Sequence, residues 1–307
     1  MTETNFENRL DAVFRGHQVR NAPMSDHTTI RCGGPADWWL APADRDSLIE
    51  TVALLREEKV PLLVLGHGSN LLVRDAGWRG AVLSLKSCCG EIEVLEKSDA
   101  AIRLRVGTGL SLNRLIQQTV EWGYGGLENL AGIPASIGGA VASNAGTKEG
   151  EIGPRLEEIE LLNERGNLQT LKGPKIQYSY RRMELPPRSM ALSAVLKLEA
   201  GEPEALMARR ESILQHRRQT QPIDQPSMGS VFKNPAKHKA GALIEEAGLK
   251  GIRLRQAMIS EKHANWIVNL GGATAADVLA LIRLIQDKVK DRCGVALETE
   301  IRVVGER

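Results

Sequence analysis

Apolar residues recur along this chain in two different periods, and the period changes several times. Residues 60–65 form a continuous apolar run, the pattern of a strand covered on both faces. The run stops at the small-residue segment GHGSN, residues 66–70, and Leu71, Leu72 and Val73 resume it. Alternation at 81–85, 92–95 and 102–106 predicts three further strands. Leu48, Val52 and Leu55 repeat at helical spacing behind a capping box read at Ser47 and Glu50. A second helix is expected from Ser111, with Leu112, Leu115 and Ile116 on one face and Gly123 as its stop. Residues 156–162 and 194–198 read as strands joined by a polar, arginine-rich connection. The clearest helix has Thr274 and Asp277 as caps, Val278, Ile282, Ile285 and Val289 as its stripe, and Gly294 as its end. A last strand is expected at 297–303, and residues 1–20 read as a short helix before the polar linker NAPMSDHTT. No long-period repeat and no regular βαβ series is present, so the expected class is α+β.

A chain of 307 residues has room for two or three domains, and near residue 200 a charged helical stretch, GEPEALMARRESILQHRRQT, marks the expected start of the last. Lys+Arg of 40 against Asp+Glu of 38 leaves a net charge of +2, which disfavours nucleic acid as a partner. No apolar run approaches the ~20 residues that span a bilayer. The first residues carry acids and no apolar signal core, so a cytoplasmic location without membrane attachment is expected. Cys88 and Cys89 are adjacent, Cys32 and Cys293 are isolated, and no paired CxxC motif occurs, which points to reduced thiols. The six histidines show no metal-ligand spacing, so no metal is expected.

Residues 132–146, GIPASIGGAVASNAG, place glycine at 132, 138, 139 and 146 among small residues. That density argues against an ordinary helix. It suits close approach of backbone N–H groups to an anion, or a set of tight packing turns; the run alone does not separate these. Neither GHGSN nor Gly107-Thr108-Gly109 completes a dinucleotide fingerprint, and no P-loop is present. A diphosphate lying between two small-residue loops fits the pattern better. Further on, Arg181 and Arg182 follow tyrosines, and an arginine fork suits a carboxylate or phosphate as well as a solvated loop. Ser230 reads as a turn residue between Gly229 and a short apolar strand. Period-two geometry would put Glu298 and Glu300 on one face, opposite Leu297, Ile301 and Val303, as ordinary surface acids or as site groups.

Seven ordered segments together resemble the UDP-N-acetylenolpyruvoylglucosamine reductase (MurB) family: LGHGSNLLVRDAGWRG, GLENLAGIPASIGGAVASNAG, YSYRR, QPSMGSVFKNP, AGALIEEAGLKG, SEKHANWIVN and LETEIRVVG. The resemblance runs from about residue 28 to 305. It implies noncovalent FAD held by two N-terminal α+β subdomains of the p-cresol methylhydroxylase/vanillyl-alcohol oxidase type, at residues 1–86 and 87–200, and a C-terminal α+β substrate-binding domain at 201–307. The length matches the shorter family form without an extra substrate-covering loop.

Carried over by motif, the catalytic set falls on Arg181, Ser230 and Glu300. FAD contacts fall on Gly66, Gly68, Ser69, Asn70, Gly132, Ile133, Pro134, Ser136, Gly138, Gly139, Asn144, Ala145 and Gly146. Substrate contacts fall on Tyr180, Lys233, Asn234 and His263. The implied reaction uses NADPH as co-substrate and reduces a UDP-sugar enolpyruvyl ether in peptidoglycan precursor synthesis, with the protein working as a monomer.

The chain departs from the family pattern at Ala135, commonly glycine, at Thr147-Lys148-Glu149 after NAG, and at Met183, where serine is usual; His67 fills the variable place in LGxGSN. Two other readings stand beside the reductase: a different flavin oxidoreductase on the same fold, and a nonenzymatic flavin- or nucleotide-sugar-binding module.

Overall fold

The computed structural model describes residues 3–306, with the backbone alone for residues 3–5. The chain forms two units, each assembled from separated segments: Met1–Val19, Trp38–Gly66 and Gly80–Gln215 in the first, and Arg20–Asp37, His67–Arg79 and His216–Arg307 in the second. The N-terminal helix is Glu3–Val13; its expected first two residues lie outside the described ones.

Two cores lie within the first unit. One gathers Leu10, Leu40, Leu48, Val52, Leu55 and Leu83, all fully buried. Its sheet has the order Gly16–Pro23, Pro35–Pro42, Trp78–Ser84, Leu62–Leu65, the last two running parallel. Residues read as a linker therefore begin in a strand, and Met24 is fully buried in the turn that follows. The helix carrying Leu48, Val52 and Leu55 is Arg45–Glu57. Asp44, not Ser47, caps it: the Asp44 carboxylate accepts the Ser47 N–H at 2.7 Å. Ser47 is buried in the first turn, its hydroxyl accepting the Arg15 N–H at 2.8 Å, and so cannot serve as the cap.

The second core lines an antiparallel sheet ordered Leu168–Lys172, Leu156–Leu162, Met190–Ala200, Ala101–Gly107, Ile92–Lys97. Alternation along Ala101–Gly107 does what period two requires. Ile102, Leu104 and Val106 are buried, while Arg103 pairs with Glu96 and Glu157 and Arg105 with Glu93. Helix Leu112–Glu121 lays Leu112, Leu115, Ile116 and Val120 on this core. The connection expected between two strands holds a third, Leu168–Lys172, and a tight hairpin of Tyr178–Ser179 with Arg182–Met183.

The glycine-rich run does contain a helix, Ile137–Ala142, against the expectation from its glycine content. Tertiary burial of Ile137, Ala140 and Val141, with the Ser136 hydroxyl accepting the Gly139 N–H at 3.1 Å, outweighs the low propensity of two glycines.

In the second unit, strands Ser227–Ser230, Trp266–Asn269, Ala257–Ile259 and Arg253–Leu254 follow one another antiparallel. Helix Ala275–Cys293 packs Val278, Ile282, Ile285 and Val289 into their core. Its capping box is complete at Thr274 and Asp277, and Gly294 ends it at φ 70°. The last strand is only Arg302–Val304, parallel to Leu71–Val73. Residues 297–301 form no continuous strand but one isolated antiparallel bridge, Thr299 opposite Phe232, closed by Glu300 N–H donating to the Val231 carbonyl (2.8 Å) and Lys233 N–H to that of Glu298 (2.9 Å). The expected shared face of Glu298 and Glu300 is lost with the strand. Glu298 is exposed and paired with Lys233, whereas Glu300 is half-buried. Among the described residues, no helix is long and apolar enough to cross a membrane.

Candidate functional site

In the first unit, residues 132–146 use most of their backbone donors internally. Gly132 N–H donates to Asn113 Oδ1 (2.7 Å), Ile137 N–H to the Leu110 carbonyl (2.8 Å), and Gly138 N–H to that of Thr108 (2.8 Å). Ile133 N–H bonds the Leu130 carbonyl, and Ala145 N–H that of Ala140. Pro134 and Gly139 lie exposed at the surface of this segment. A side chain at Gly66 would run into the Ser136 hydroxyl that caps the short helix.

The end of the run serves a different purpose. Asn144 is fully buried at φ 41°, donates from Nδ2 to the Ser179 carbonyl (3.0 Å) and accepts the Gly153 N–H (3.0 Å). It therefore ties down the hairpin whose turn carries Tyr180 and Arg181. Arg181 sits at φ 59°, a conformation a non-glycine residue keeps only when its surroundings over-determine it. Arg181 Nη1 donates to the Gly146 carbonyl at 2.7 Å, and its guanidinium lies 5.3 Å from the Tyr180 ring centroid. A planar cation aimed in this way can grip a carboxylate.

The second unit holds the other groups. Gly68 is at φ 65°, where a Cβ would strike the His27 carbonyl, so the turn admits only glycine. The successive N–H groups of Gly68, Ser69 and Asn70 donate to no acceptor among the described residues. Such a row of amides, with a serine hydroxyl and no carboxylate in the turn, fits the oxygens of the FAD diphosphate. Asn70 Nδ2 is already engaged, donating to the Glu300 carbonyl at 3.1 Å.

Ser230 ends strand Ser227–Ser230 opposite Trp266, after a register shift at which Gly229 takes φ 74°. The sequence placed a strand after Ser230; the structure places it before, because Val231 and Phe232 leave the ladder. Those two residues run between Asn265 on one side and residues 298–300 on the other. Ser230 and Glu300 are thus joined to one short stretch of backbone. Arg181 lies in the first unit.

The remaining expected substrate groups have protein partners. Lys233 pairs with Glu298, and Asn234 Oδ1 accepts the Ala240 N–H (2.9 Å) at the start of helix Ala240–Glu246. His263 Nδ1 accepts the Asn265 N–H (3.2 Å), and burial holds its pKa below the ordinary value, with Lys250 adding to the effect. Asn265 itself was missed by sequence reasoning. A lone Asn within SEKHANWIVN carries no spacing signal, because its partners lie 33 residues away.

The chain is similar to known proteins over nearly its whole length. A family model described as FAD binding domain matches residues 36–172, and one described as UDP-N-acetylenolpyruvoylglucosamine reductase, C-terminal domain, matches residues 221–304. The chain is 43% identical over 298 residues to the UDP-N-acetylenolpyruvoylglucosamine reductase of Geobacter metallireducens, with 97% of each chain covered. It is 41% identical over 295 residues to that of Heliobacterium modesticaldum, covering 95% of this chain and 92% of the relative. The solved UDP-N-acetylenolpyruvylglucosamine reductase of Thermus caldophilus superimposes with a TM-score of 0.81 at 37% identity, covering 94% of this chain and 98% of that one.

Proposed function

Because the chain belongs to the UDP-N-acetylenolpyruvoylglucosamine reductase family, we propose that it reduces UDP-N-acetylglucosamine-enolpyruvate to UDP-N-acetylmuramate with NADPH and bound FAD, a step of peptidoglycan precursor synthesis. The observation that carries this reading is the common backbone support of Ser230 and Glu300, through the 2.8 Å bond from Glu300 N–H to the Val231 carbonyl.

Bound FAD would supply the hydride chemistry that couples NADPH oxidation to reduction of the enolpyruvyl double bond. The amides of Gly68, Ser69 and Asn70 would hold its diphosphate. Arg181 binds the enolpyruvyl carboxylate and stabilises the negative charge that develops beside it, an effect greatest where the donor is already oriented. The Gly146 carbonyl and the Tyr180 ring provide that orientation. Ser230 Oγ–H gives its proton to the carbon next to the carboxylate, a transfer driven by the strong basicity of the enolate. Glu300 polarises the same region and disfavours any arrangement that leaves the charge unprotonated. Tyr180, Lys233, Asn234 and His263 complete the substrate contacts.

Residues 1–86 and 87–200 act as FAD-binding subdomains and 201–307 as the substrate-binding domain, except that 20–37 and 67–79 group with the C-terminal residues and 201–215 with the N-terminal ones. The separate cores around Leu83 and around Leu104 support the division of the N-terminal part. The enzyme works as a cytoplasmic monomer of the shorter family form.

The test is turnover by the purified, FAD-loaded protein. NADPH oxidation that depends on UDP-N-acetylglucosamine-enolpyruvate is expected, and its absence overturns the proposal. Ser230→Ala is expected to leave NADPH bleaching of the flavin intact while slowing reoxidation by the enolpyruvyl substrate by about 10²-fold or more.

A further inference from the structure

We propose that Asn265 is a positioning residue for Ser230, its side chain holding the backbone of Phe232 where the strand ladder ends. The inference rests on the reading of Ser230 as the proton donor.

After Ser230, the backbone of Val231 and Phe232 no longer pairs residue by residue with Trp266–Asn269. The last bond of the ladder runs from the Val231 N–H to the Asn265 carbonyl at 2.8 Å, and two side-chain bonds from Asn265 then continue it. Its side-chain Oδ1 accepts the Phe232 N–H at 3.0 Å, and its Nδ2 donates to the Phe232 carbonyl at 2.8 Å. A primary amide presents one acceptor and one donor side by side, as a peptide group does, so it closes both backbone groups of Phe232 at once. Asn265 is 4% exposed and Phe232 1%, so water cannot take over either bond.

On the other side, Val231 and Lys233 bond to Glu300 and Glu298. The stretch from Ser230 to Lys233 is therefore clamped between Asn265 and the segment that carries Glu300. Asn265 is held in turn: its own N–H donates to His263 Nδ1, and the hydroxyl of Ser260, which is buried, accepts the N–H groups of Lys262 and His263 at the start of the turn. No other side chain among the described residues bonds the backbone of Phe232. The Ser230 hydroxyl, two residues away, takes its place from a backbone whose register Asn265 sets.

The decisive variant is Asn265→Asp, which keeps the size and the acceptor but turns the donor facing the Phe232 carbonyl into a second acceptor. Reoxidation of the reduced flavin by UDP-N-acetylglucosamine-enolpyruvate should slow by about 10- to 100-fold, the scale of an ångström-sized misplacement of a reacting group. Flavin reduction by NADPH should stay within about threefold, since that half-reaction does not use the Ser230 proton, and any rise in KM through Lys233 should be smaller than the loss in reoxidation rate. In a Ser230→Ala background the Asn265→Asp effect should vanish, because the group it positions is gone. An effect of equal size in both backgrounds, or a loss confined to KM, overturns the proposal.

Unaltered protein gives a second measurement that does not depend on a folded variant. The Phe232 amide should exchange with deuterium as slowly as the amides of Trp266–Asn269, and rapid exchange overturns the clamp. If the unaltered enzyme does not turn over the enolpyruvyl substrate while Phe232 remains protected, the functional reading of Ser230 has failed and the clamp has not.

Discussion

Asn70 Nδ2 donates to the backbone carbonyl of Glu300 at 3.1 Å, joining residues 230 positions apart. The bond links the small-residue turn before Leu71–Val73 to the segment before Arg302–Val304, and those two strands then pair in parallel. Asn70 thus fixes the turn whose amides at Gly68, Ser69 and Asn70 donate to no acceptor among the described residues. Replacing it by Asp would set a carboxylate oxygen against the Glu300 carbonyl. Asn70→Asp is expected to cost about 1–3 kcal/mol, read from urea midpoints, and to weaken FAD retention on dialysis.

Gly66 and Ser136 are related by space. The missing Cβ at 66 is what leaves the Ser136 hydroxyl free to accept the Gly139 N–H. Gly66→Ala should push that hydroxyl off the helix end and cost about 1 kcal/mol, the usual value of an N-cap. Adding Ser136→Ala to the Gly66→Ala protein should then cost little more, a coupling visible in a double-mutant cycle of thermal unfolding.

Asp75 gives helix Ala275–Cys293 a second cap beside its own capping box. Its Oδ1 accepts the Ala275 N–H and its Oδ2 the Ala276 N–H, each at 2.8 Å. Asp75→Ala is expected to destabilise the protein by about 1–2 kcal/mol, from two lost helix-end bonds and a lost charge at the positive end of the dipole. Asp75→Asn, which keeps one acceptor without the charge, should recover part of this in the same denaturation assay.

His263 predicts a pH dependence. Unfolded, its imidazole titrates near 6.5, and burial holds the folded value below that. Between the two values the unfolded chain binds the extra proton, so stability is complete above the unfolded value and falls as pH drops through it toward the folded one. Protonation also removes the Nδ1 lone pair that accepts the Asn265 N–H. His263→Asn should flatten the fall in melting temperature over this range; an unchanged slope would exclude His263 as its source.

Among the cysteines, burial, with Asp75 and Asp277 nearby, pushes the Cys32 thiol up to about 12. Cys89 is pushed up by the bond it donates to Cys88, 3.8 Å away, and that same bond lowers Cys88. Iodoacetamide at about pH 8 should therefore label Cys88 well before Cys32 or Cys89, as read by peptide mass spectrometry.

Local pattern was sufficient for those elements whose stability is local or one-faced. Thr274, Asp277 and Gly294 delimit their helix by bonds within one turn at each end, so residues 274–277 state its start and Gly294 its stop. Ile102, Leu104 and Val106 show their buried face because a strand's period leaves no choice. The order of motifs also singled out Arg181, Ser230 and Glu300 as candidates. What their neighbours do was not legible. Nothing local shows that Asp44 displaces Ser47 as a cap, since Ser47 is claimed by Arg15, 32 residues away. Nothing local shows a helix at Ile137–Ala142, whose stability comes from tertiary burial. The segment around Glu300 reads as a strand by alternation, yet it pairs only through the single bridge of Thr299 with Phe232, and the Glu300 carbonyl is taken by Asn70. Side-chain periodicity reports which face meets a core; only the tertiary structure decides which distant backbone groups satisfy one another, and at Asn265 and Asn70 that decision sets the site.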